Sequence, residues 1–480
     1  MMRLSELLAD SVGDQVILDM TLDSREVKPG SLFVAIPGAD LDGRHFIDAA
    51  LSAGAAAVLA ESADYVPPED DRIVRMEGVR QHLGALAARF FAYPSRQMRM
   101  IAVTGTNGKT SIVDLSAQLL RLLGVSAGSV GTLGIRRDQS PVAARNTTPD
   151  CLSLHRQLRE WCDQGVTHVA MEASSHALDQ GRLDGLNLDV GLWTNLTRDH
   201  LDYHGSMEAY RAAKLSLLTR GKPALCLFNL DDAALRSLPE EVDIPVMGIS
   251  DRHPEADIFF EVVTLEPALR VSIRTPWGQS TFESALTGRF NAFNLVAAIA
   301  AVTATGLPFL DVVEVARHAE PVLGRLQRID ADADIAVIID YAHTPDALER
   351  SLSALVEQMH HGKLWVVFGC GGDRDRGKRA EMGAIATRLA DEVVVTSDNP
   401  RTEDPARIID DVVKGCAGDA YRVEPDRAAA IHLAVAEASS GDTVLISGKG
   451  HETYQEIRGS RLPFSDAQSA LQALELRRAA

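Results

Sequence analysis

The stretch Val103-Thr-Gly-Thr-Asn-Gly-Lys-Thr-Ser111 closes the apolar run Met100-Ile-Ala-Val103 and has the residue types of a phosphate cradle. A Walker A loop reads G-x-x-x-x-G-K-S/T; Gly108-Lys109-Thr110 fits its end, while Val103 stands where its first glycine belongs. The loop is therefore a shorter form, Gly105-Thr106-Asn107-Gly108-Lys109-Thr110, followed by Ser111. Glycines let backbone N–H groups turn toward phosphates, the following helix points its positive end at them, Lys109 reaches the β/γ oxygens, and Thr110 can sit on Mg²⁺. Further along, Glu172 ends the apolar run Thr167 to Met171, at the sheet edge where a carboxylate meets a metal ion. Thr194 to Gly205 then places His200, Asp202 and His204 directly after another strand-like run. The spacing of the two histidines suits a zinc helix, but Leu201 replaces the glutamate of H-E-x-x-H.

These residues need a scaffold, and at 480 residues the chain has material for about three units of roughly 100 to 200 residues each. Apolar residues make up 46% and charged ones 24%, enough for packed cores and too balanced for a disordered chain. The net charge of −19 repels nucleic acid and anionic membranes, so any phosphate site must be positive locally. Cys151, Cys162, Cys226, Cys370 and Cys416 stand singly, as buried thiols in a reducing compartment would. Glu6 and Asp10 fall within the first ten positions, where a signal peptide needs an apolar run. The longest apolar stretches fall short of the roughly 18 residues of a membrane span. A soluble, cytoplasmic protein is expected.

The pattern predicts an α/β protein of three units. Residues 1–97 alternate strand-like runs with an Ala-rich helical segment near 48–60 and a helix near 79–92. The polar loops Leu22-Asp-Ser-Arg25 and Gly38 to Gly43 lie at strand ends, where they serve as ligand loops or as plain turns. Residues 98–321 carry the phosphate loop and strands near 100–104, 167–172, 189–194 and 224–228 separated by helices, the signature of a parallel sheet. Alternation over 257–287 predicts an antiparallel addition, followed by a helix near 290–304. Residues 322–480 repeat the βα rhythm in a Rossmann-like unit. Neither Gly369-Cys-Gly-Gly372 nor Gly448-Lys-Gly450 completes G-x-G-x-x-G, because Arg374 and Thr453 stand at the third glycine, which speaks against a dinucleotide cofactor.

Several segments, in order, are similar to the Mur ligases, ATP-dependent enzymes that extend the peptide of the bacterial cell-wall precursor. They are Thr104 to Ser111, Asn146-Thr147-Thr148, Glu172-Ala-Ser-Ser-His176, Asn195 to Gly205, Tyr210-Arg-Ala-Ala-Lys214, Gly288 to Asn294, Gly324-Arg325 and Asp340-Tyr-Ala-His-Thr-Pro345. The resemblance implies three domains: an N-terminal uridine-nucleotide domain, a central P-loop ATPase domain and a C-terminal Rossmann-like amino-acid domain. It implies ATP and Mg²⁺, with Lys109, Glu172, His200 and Lys214 catalytic, and Thr110, Glu172, His200 and Lys214 holding metal. Lys214 falls where the family carries a carbamate formed with CO₂; spacing alone would make it a helix-surface lysine. Asn291 and Asn294 fall near the adenine, or cap a helix, and Arg325 falls near the phosphates.

By the same comparison, Leu22, Ser24 and the Ala39-Asp-Leu41 loop fall where the uridine nucleotide sits. Asn146, Thr147, Thr148, Ser174, Gln180 and Arg182 fall where the muramoyl dipeptide of UDP-MurNAc-L-Ala-D-Glu lies. Within the family, Gly371-Gly-Asp-Arg374, Asp398-Asn399-Pro400-Arg401 and Gly448-Lys-Gly-His-Glu452 resemble the branch that adds meso-diaminopimelate rather than L-lysine. The chemistry suits that amino acid, whose distal end is a zwitterion. Arg374 and Arg401 can grip its carboxylate, while Asp398, Asn399 and Glu452 can accept from its ammonium. Taken alone, the Pro400 tetrad reads as a turn before the helix at Asp404-Pro405. A monomer acting on small molecules, without nucleic-acid or membrane partners, is expected. The rivals are an L-lysine-adding ligase, folylpolyglutamate synthetase, and a P-loop switch or motor.

Overall fold

The computed structural model describes residues 1–8, 14–38, 41–137, 140–142 (backbone only), 146–265, 268–286, 288–329, 332–359, 361–418 and 421–479. Ala39 and Asp40 of the expected uridine loop lie outside them.

Three sheets carry the chain. The first is parallel and in sequential order: Asp19–Thr21, Ser31–Ala35, Ala57–Glu61 and Ile73–Met76. One expectation fails here: of the Ala-rich segment only Ile47–Ser52 is helical, and Ala57–Glu61 is a fully buried strand. Alanine by itself favours a helix. The β-branched Val58 and its burial on both faces decide for the sheet. The helix Val79–Phe90 covers one face and meets Cys151–Asp163 of the central unit, whose Cys151 and Leu152 complete the same core.

The second sheet has eleven strands. Its parallel middle runs Ala127–Gly131, His168–Glu172, Arg99–Thr104, Val190–Trp193, Leu225–Asn229, Val246–Ser250 and Ile258–Thr264. Antiparallel strands extend both edges, Leu269–Thr275 and Gly278–Ser284 at one, Gly134–Arg137 and Ser140–Val142 at the other. Arg99–Thr104 lies between His168–Glu172 and Val190–Trp193, at the point where successive strands change from one side to the other. Open α/β sheets form their ligand crevice at such a switch, beyond the carboxyl ends of the strands. The loops leaving these three strands carry Gly105 to Gly108, Ala173 to His176 and Asn195 to His200.

Helices Lys109–Leu122 and Arg289–Ala304 pack together on one face of this sheet; Cys151–Asp163 and Met207–Thr219 cover the other. Arg289–Ala304 is apolar nearly all round because it lies inside the core, where no polar face is needed.

The third sheet runs Gln327–Ile329, Ala336–Asp340, Thr443–Ser447, Leu364–Phe368, Glu392–Val395 and Tyr421–Val423, antiparallel at the first pair and parallel after it. Its central strands Leu364–Phe368 and Thr443–Ser447 are buried throughout and mostly apolar, as two covered faces require. Beneath their carboxyl ends, Arg427 pairs with Asp466 through two hydrogen bonds of 2.7 and 2.8 Å, both side chains excluded from water. Arg427 also donates to the carbonyls of Ser397 and Ser447, fastening two loops of this edge to one buried ion pair. Among the described residues, no helix is long and apolar enough to cross a membrane.

Candidate active site

Gly105, at φ 141°, starts the phosphate loop in a conformation that L side chains avoid, and a Cβ there would strike Thr194 Oγ1. The helix Lys109–Leu122 begins at once, so its first-turn amides have no acceptor within the helix and point into the crevice. The loop amides before them do something else. Thr106 and Asn107 donate to Asn195 Oδ1 at 3.1 and 2.8 Å, and Asn195 Nδ2 returns to the Asn107 carbonyl at 3.2 Å. The amides left to face a phosphate are thus those of the helix start, while Asn195 clamps the loop; the sequence-based expectation of a whole cradle of loop amides is narrowed accordingly. Asn195 follows its strand closely, and that position was the only signal of its role.

Two lysines converge on one carbonyl. Lys109 Nζ donates to the carbonyls of Gly105 (2.7 Å) and Thr106 (2.8 Å), and Lys214 Nζ donates to the same Gly105 carbonyl at 2.7 Å. Lys214 is not the surface lysine that spacing allows: it is 1% exposed, with its ammonium 4.4 Å from the centre of the Tyr210 ring. Burial, reinforced by the charge of Lys109, pulls the Lys214 ammonium well below the ordinary lysine range, and burial lowers Lys109 as well. Tyr210 in turn meets Thr106 Oγ1 at 3.2 Å.

Glu172 is buried, its two oxygens accepting from Thr132 N–H (2.7 Å) and Thr132 Oγ1 (3.2 Å). His200 has left-handed backbone (φ 54°) and rests edge-on against His176, ring centres 4.9 Å apart. Burial pulls its imidazole well below the ordinary histidine range despite Asp199 at 3.3 Å, which favours the neutral form that can donate a lone pair to a metal. Thr110 Oγ1 accepts from Arg325 Nη2 at 3.0 Å, across the boundary between the second and third sheets.

Among the described residues no cluster of three or more His, Cys, Asp and Glu forms a metal cage. Thr110, Glu172 and His200 offer a hydroxyl, a carboxylate and an imidazole, donors that suit Mg²⁺, an ion that takes one or two carboxylates and fills its remaining positions with water and substrate phosphate.

A cavity of about 460 Å³ opens beside the loop, lined by Asn107, Gly108, Ser111, Asn294, Arg325 and Tyr341 among others. Asn291 and Asn294 lie within Arg289–Ala304, whose N-cap is Gly288, so neither caps it. Asn294 Nδ2 donates to Asn291 Oδ1 at 3.2 Å, which turns Asn294 Oδ1 toward Gly108. Arg325 lies over the Tyr341 ring, 4.5 Å from its centre.

On the opposite side a cavity of about 750 Å³ runs from Leu22 and Ser24 of the first unit to Asn146, Gln180 and Arg182 of the second. Arg182 donates to Gln180 Oε1 (2.7 and 3.1 Å) and to the Thr148 carbonyl (2.7 Å). Thr148 Oγ1 donates to the Glu172 carbonyl (2.7 Å) and lies 3.4 Å from Ser174 Oγ; Thr147 Oγ1 meets Thr132 Oγ1 at 3.3 Å. Arg182 on this cavity is thus joined through Thr148 to the Glu172 carbonyl. Tyr203 links the same cavity to His176, accepting from Gln180 Nε2 (3.1 Å), donating to Asp179 (2.7 Å) and packing on His176 with ring centres 4.2 Å apart.

Arg374, Asp398 to Arg401, Gly448 and Glu452 gather in the third unit, in the loops after Leu364–Phe368, Glu392–Val395 and Thr443–Ser447. Contacts are close enough to require glycine: a Cβ on Gly448 would lie 2.5 Å from Asp398 Oδ2, and one on Gly371 would lie 2.9 Å from Arg401 Nη1. Arg374 and Arg401 thus flank Gly371, with Asp398 and Glu452 near Gly448 and the buried loop core. Asn399 departs from the expected acceptor role: its Oδ1 is occupied by Glu456 N–H (2.9 Å) and Lys449 Nζ (3.0 Å), and its Nδ2 donates to Glu452 Oε2 (2.9 Å). The capacity left on this amide is an N–H.

Arg198 links this pocket to the phosphate crevice. Its guanidinium grips Asp375, next to Arg374, at 2.9 and 3.1 Å, two residues before His200. Arg198 is half exposed, so the pair is worth little by itself. Arg198→Ala is expected to raise KM for the amine substrate about two- to fivefold and to leave KM for the nucleotide unchanged; steady-state kinetics would show it, and equal change in both would mean that the pair does not set the pocket.

The geometry matches known proteins along its whole length. Three family models fit in succession: "Mur ligase family, catalytic domain" over residues 17–91, "Mur ligase middle domain" over 103–302 and "Mur ligase, glutamate ligase domain" over 324–450. The UDP-N-acetylmuramoyl-L-alanyl-D-glutamate--2,6-diaminopimelate ligase of Pseudomonas aeruginosa is 46% identical over 478 residues, and that of Pseudomonas putida 44% over 486, with 98% of each chain covered in both cases. A solved structure of a UDP-N-acetylmuramoyl-L-alanyl-D-glutamate--2,6-diaminopimelate ligase superposes with a TM-score of 0.70 at 35% identity, covering 99% of both chains. The chain belongs to the Mur ligase family.

Proposed function

We propose that the protein is an ATP-dependent ligase that joins meso-diaminopimelate to the D-Glu side-chain carboxylate of UDP-MurNAc-L-Ala-D-Glu, in the cytoplasmic synthesis of the peptidoglycan precursor. The observation that carries this reading is a chain of contacts that joins three sites. Arg182, on the cavity shared by the first two units, bonds Thr148, which bonds the Glu172 carbonyl; Glu172 and His200 lie within charge range of Lys109 in the phosphate loop; and Arg198, two residues before His200, grips Asp375 beside Arg374. We assign residues 1–97 to the uridine nucleotide, 98–321 to ATP and 322–480 to the amino acid.

A carboxylate resists attack by an amine because oxide is a poor leaving group, so it must first be activated. One carboxylate oxygen attacks the γ-phosphorus of ATP and ADP departs; the amine nitrogen then attacks the acyl carbon, phosphate leaves, and the nitrogen gives up a proton. The protein contributes position and charge. Lys109 and the amides at the start of Lys109–Leu122 hold the β- and γ-phosphates, Arg325 reaches them from the third unit, and Asn294 stands where the base enters. Gln180, Arg182, Thr148 and Ser174 lead the acceptor carboxylate toward Glu172. Mg²⁺, when bound, neutralises phosphate charge; Thr110, Glu172, His200 and carbamoylated Lys214 are its ligands in this reading. Lys214 is suited to the modification because only the neutral amine attacks CO₂, forming N–COO⁻ with loss of a proton, and burial beside Lys109 favours the neutral form.

The L-lysine-adding alternative is weighed by the amine pocket. Two arginines beside Gly371 would face no anion on lysine, whereas diaminopimelate brings a distal carboxylate. Phosphate release with UDP-MurNAc-L-Ala-D-Glu, ATP and either amino acid tests this: fast release with meso-diaminopimelate and little with L-lysine is expected, and equal rates would overturn the choice of amine.

A further inference from the structure

Lys449 has no part in the roles above, yet it is fully buried within the amino-acid pocket's own loop, between Gly448 and Gly450. Its Nζ donates to Asn399 Oδ1 (3.0 Å) and Glu452 Oε2 (2.8 Å), lies 4.0 Å from Asp398 Oδ1 and stands 5.6 Å from the centre of the Tyr454 ring. An ammonium and a backbone N–H can only donate, and an ionised carboxylate can only accept. With Lys449 and Glu456 N–H on its oxygen and Glu452 on its nitrogen, Asn399 cannot flip without setting donor against donor. The nearby Arg427 does not substitute for Lys449, because its charge is matched by Asp466.

We propose that Lys449 is the positioning residue of the amino-acid pocket and sets its preference for an amine whose far end is a zwitterion. The proposal rests on the amino-acid site argued above. Lys449 is one of the two donors on Asn399 Oδ1, which leaves the amide's remaining capacity as an N–H in the same loop cluster as Arg401, and its charge offsets those of Glu452 and Asp398. Without it Glu456 N–H alone holds the amide oxygen and Glu452 loses its counter-charge, so the amide is held less firmly and the negative charge left on the loop repels a carboxylate and welcomes an ammonium. Discrimination between diaminopimelate and lysine then falls, although no group that touches the amino acid has been removed.

The test is Lys449→Met, which keeps the length of the side chain and removes its charge, assayed with meso-diaminopimelate and with L-lysine. The expected result is a KM for diaminopimelate about 10- to 100-fold higher, the scale of losing one or two charge-assisted hydrogen bonds, with KM for ATP and the UDP substrate within about twofold and a reduced preference over lysine. Acting through Asn399, Lys449→Met should cost less in an Asn399→Ala background than in the wild type. Equal preference in folded Lys449→Met and wild type, or a parallel rise in all three KM values, overturns the proposal. If Lys449→Met does not fold, the isosteric Asn399→Asp decides: diaminopimelate should lose far more than lysine, and equal losses overturn the assignment. A wild type without preference would instead refute the choice of amine, so the two failures are distinct.

Discussion

Lys214→Ala is expected to lower turnover at least about 10³-fold, beyond what removing a single electrostatic contact usually costs. Lys214 is anchored to the Gly105 carbonyl, 2.7 Å away, and buried against Tyr210. As an ammonium it would place a second positive charge beside Lys109 in a dry site; as a carbamate it would add a second anionic group, with Glu172, to the metal ligands proposed above. The two forms give different rescue behaviour. Formate or acetate can enter the space left in Lys214→Ala and restore part of the missing negative charge, so partial recovery with millimolar acid is expected. Labelling with ¹³C-bicarbonate should give a carbamate signal in the wild type and none in Lys214→Ala, a readout independent of turnover. Full activity in Lys214→Ala, or full activity of wild type with no carbamate signal, would sink the proposal.

How far the sequence reached depended on whether a residue acts through its neighbours in the chain or across the fold. The phosphate loop was legible because strand, glycines, lysine and helix are contiguous, and the parallel sheets were legible from apolar runs spaced by helices. The strand Ala57–Glu61 was not, since alanine favours a helix and only the position between two strands overrides that preference. Asn195 bonds Thr106 and Asn107, almost ninety residues earlier, and no local pattern marks that contact. The same holds for Asn399: sequence offers an amide able to accept or donate, and only Lys449 and Glu456, about fifty residues on, determine which end faces the pocket. The burial of Lys214 was likewise invisible to helical spacing, because a lysine on a helix is usually solvated and its partner here is the phosphate loop.

Arg401→Ala is expected to raise KM for diaminopimelate about 10- to 100-fold while KM for ATP stays within about twofold, the loss of a charge-assisted bidentate contact being worth about one to two decades. The backbone supports a direct role. Arg401 holds a left-handed conformation (φ 50°) that a non-glycine residue adopts at a cost of about 1–2 kcal/mol. A tertiary clamp maintains it: its N–H donates to the Glu456 carbonyl at 3.0 Å, and its carbonyl accepts from Arg458 N–H at 2.6 Å, both from the hairpin Tyr454–Ile457 and Ser460–Pro463 or its turn. That geometry points the guanidinium at the Gly372 carbonyl (2.7 Å), beside Arg374 and away from the two loop carboxylates nearer Gly448. Arg374 and Arg401 thus gather beside Gly371 and Asp398 and Glu452 near Gly448, an arrangement that suits the two opposite charges at the far end of diaminopimelate in the function proposed above. Arg401→Gly distinguishes side chain from backbone, because glycine accepts the left-handed conformation without strain. Equal KM in Arg401→Gly and Arg401→Ala places the effect in the guanidinium, whereas recovery in Arg401→Gly would place it in the loop. Arg401→Lys should recover little, since a point charge cannot grip a carboxylate with two parallel bonds. Equal rises in KM for diaminopimelate and ATP would remove Arg401 from the amino-acid site altogether.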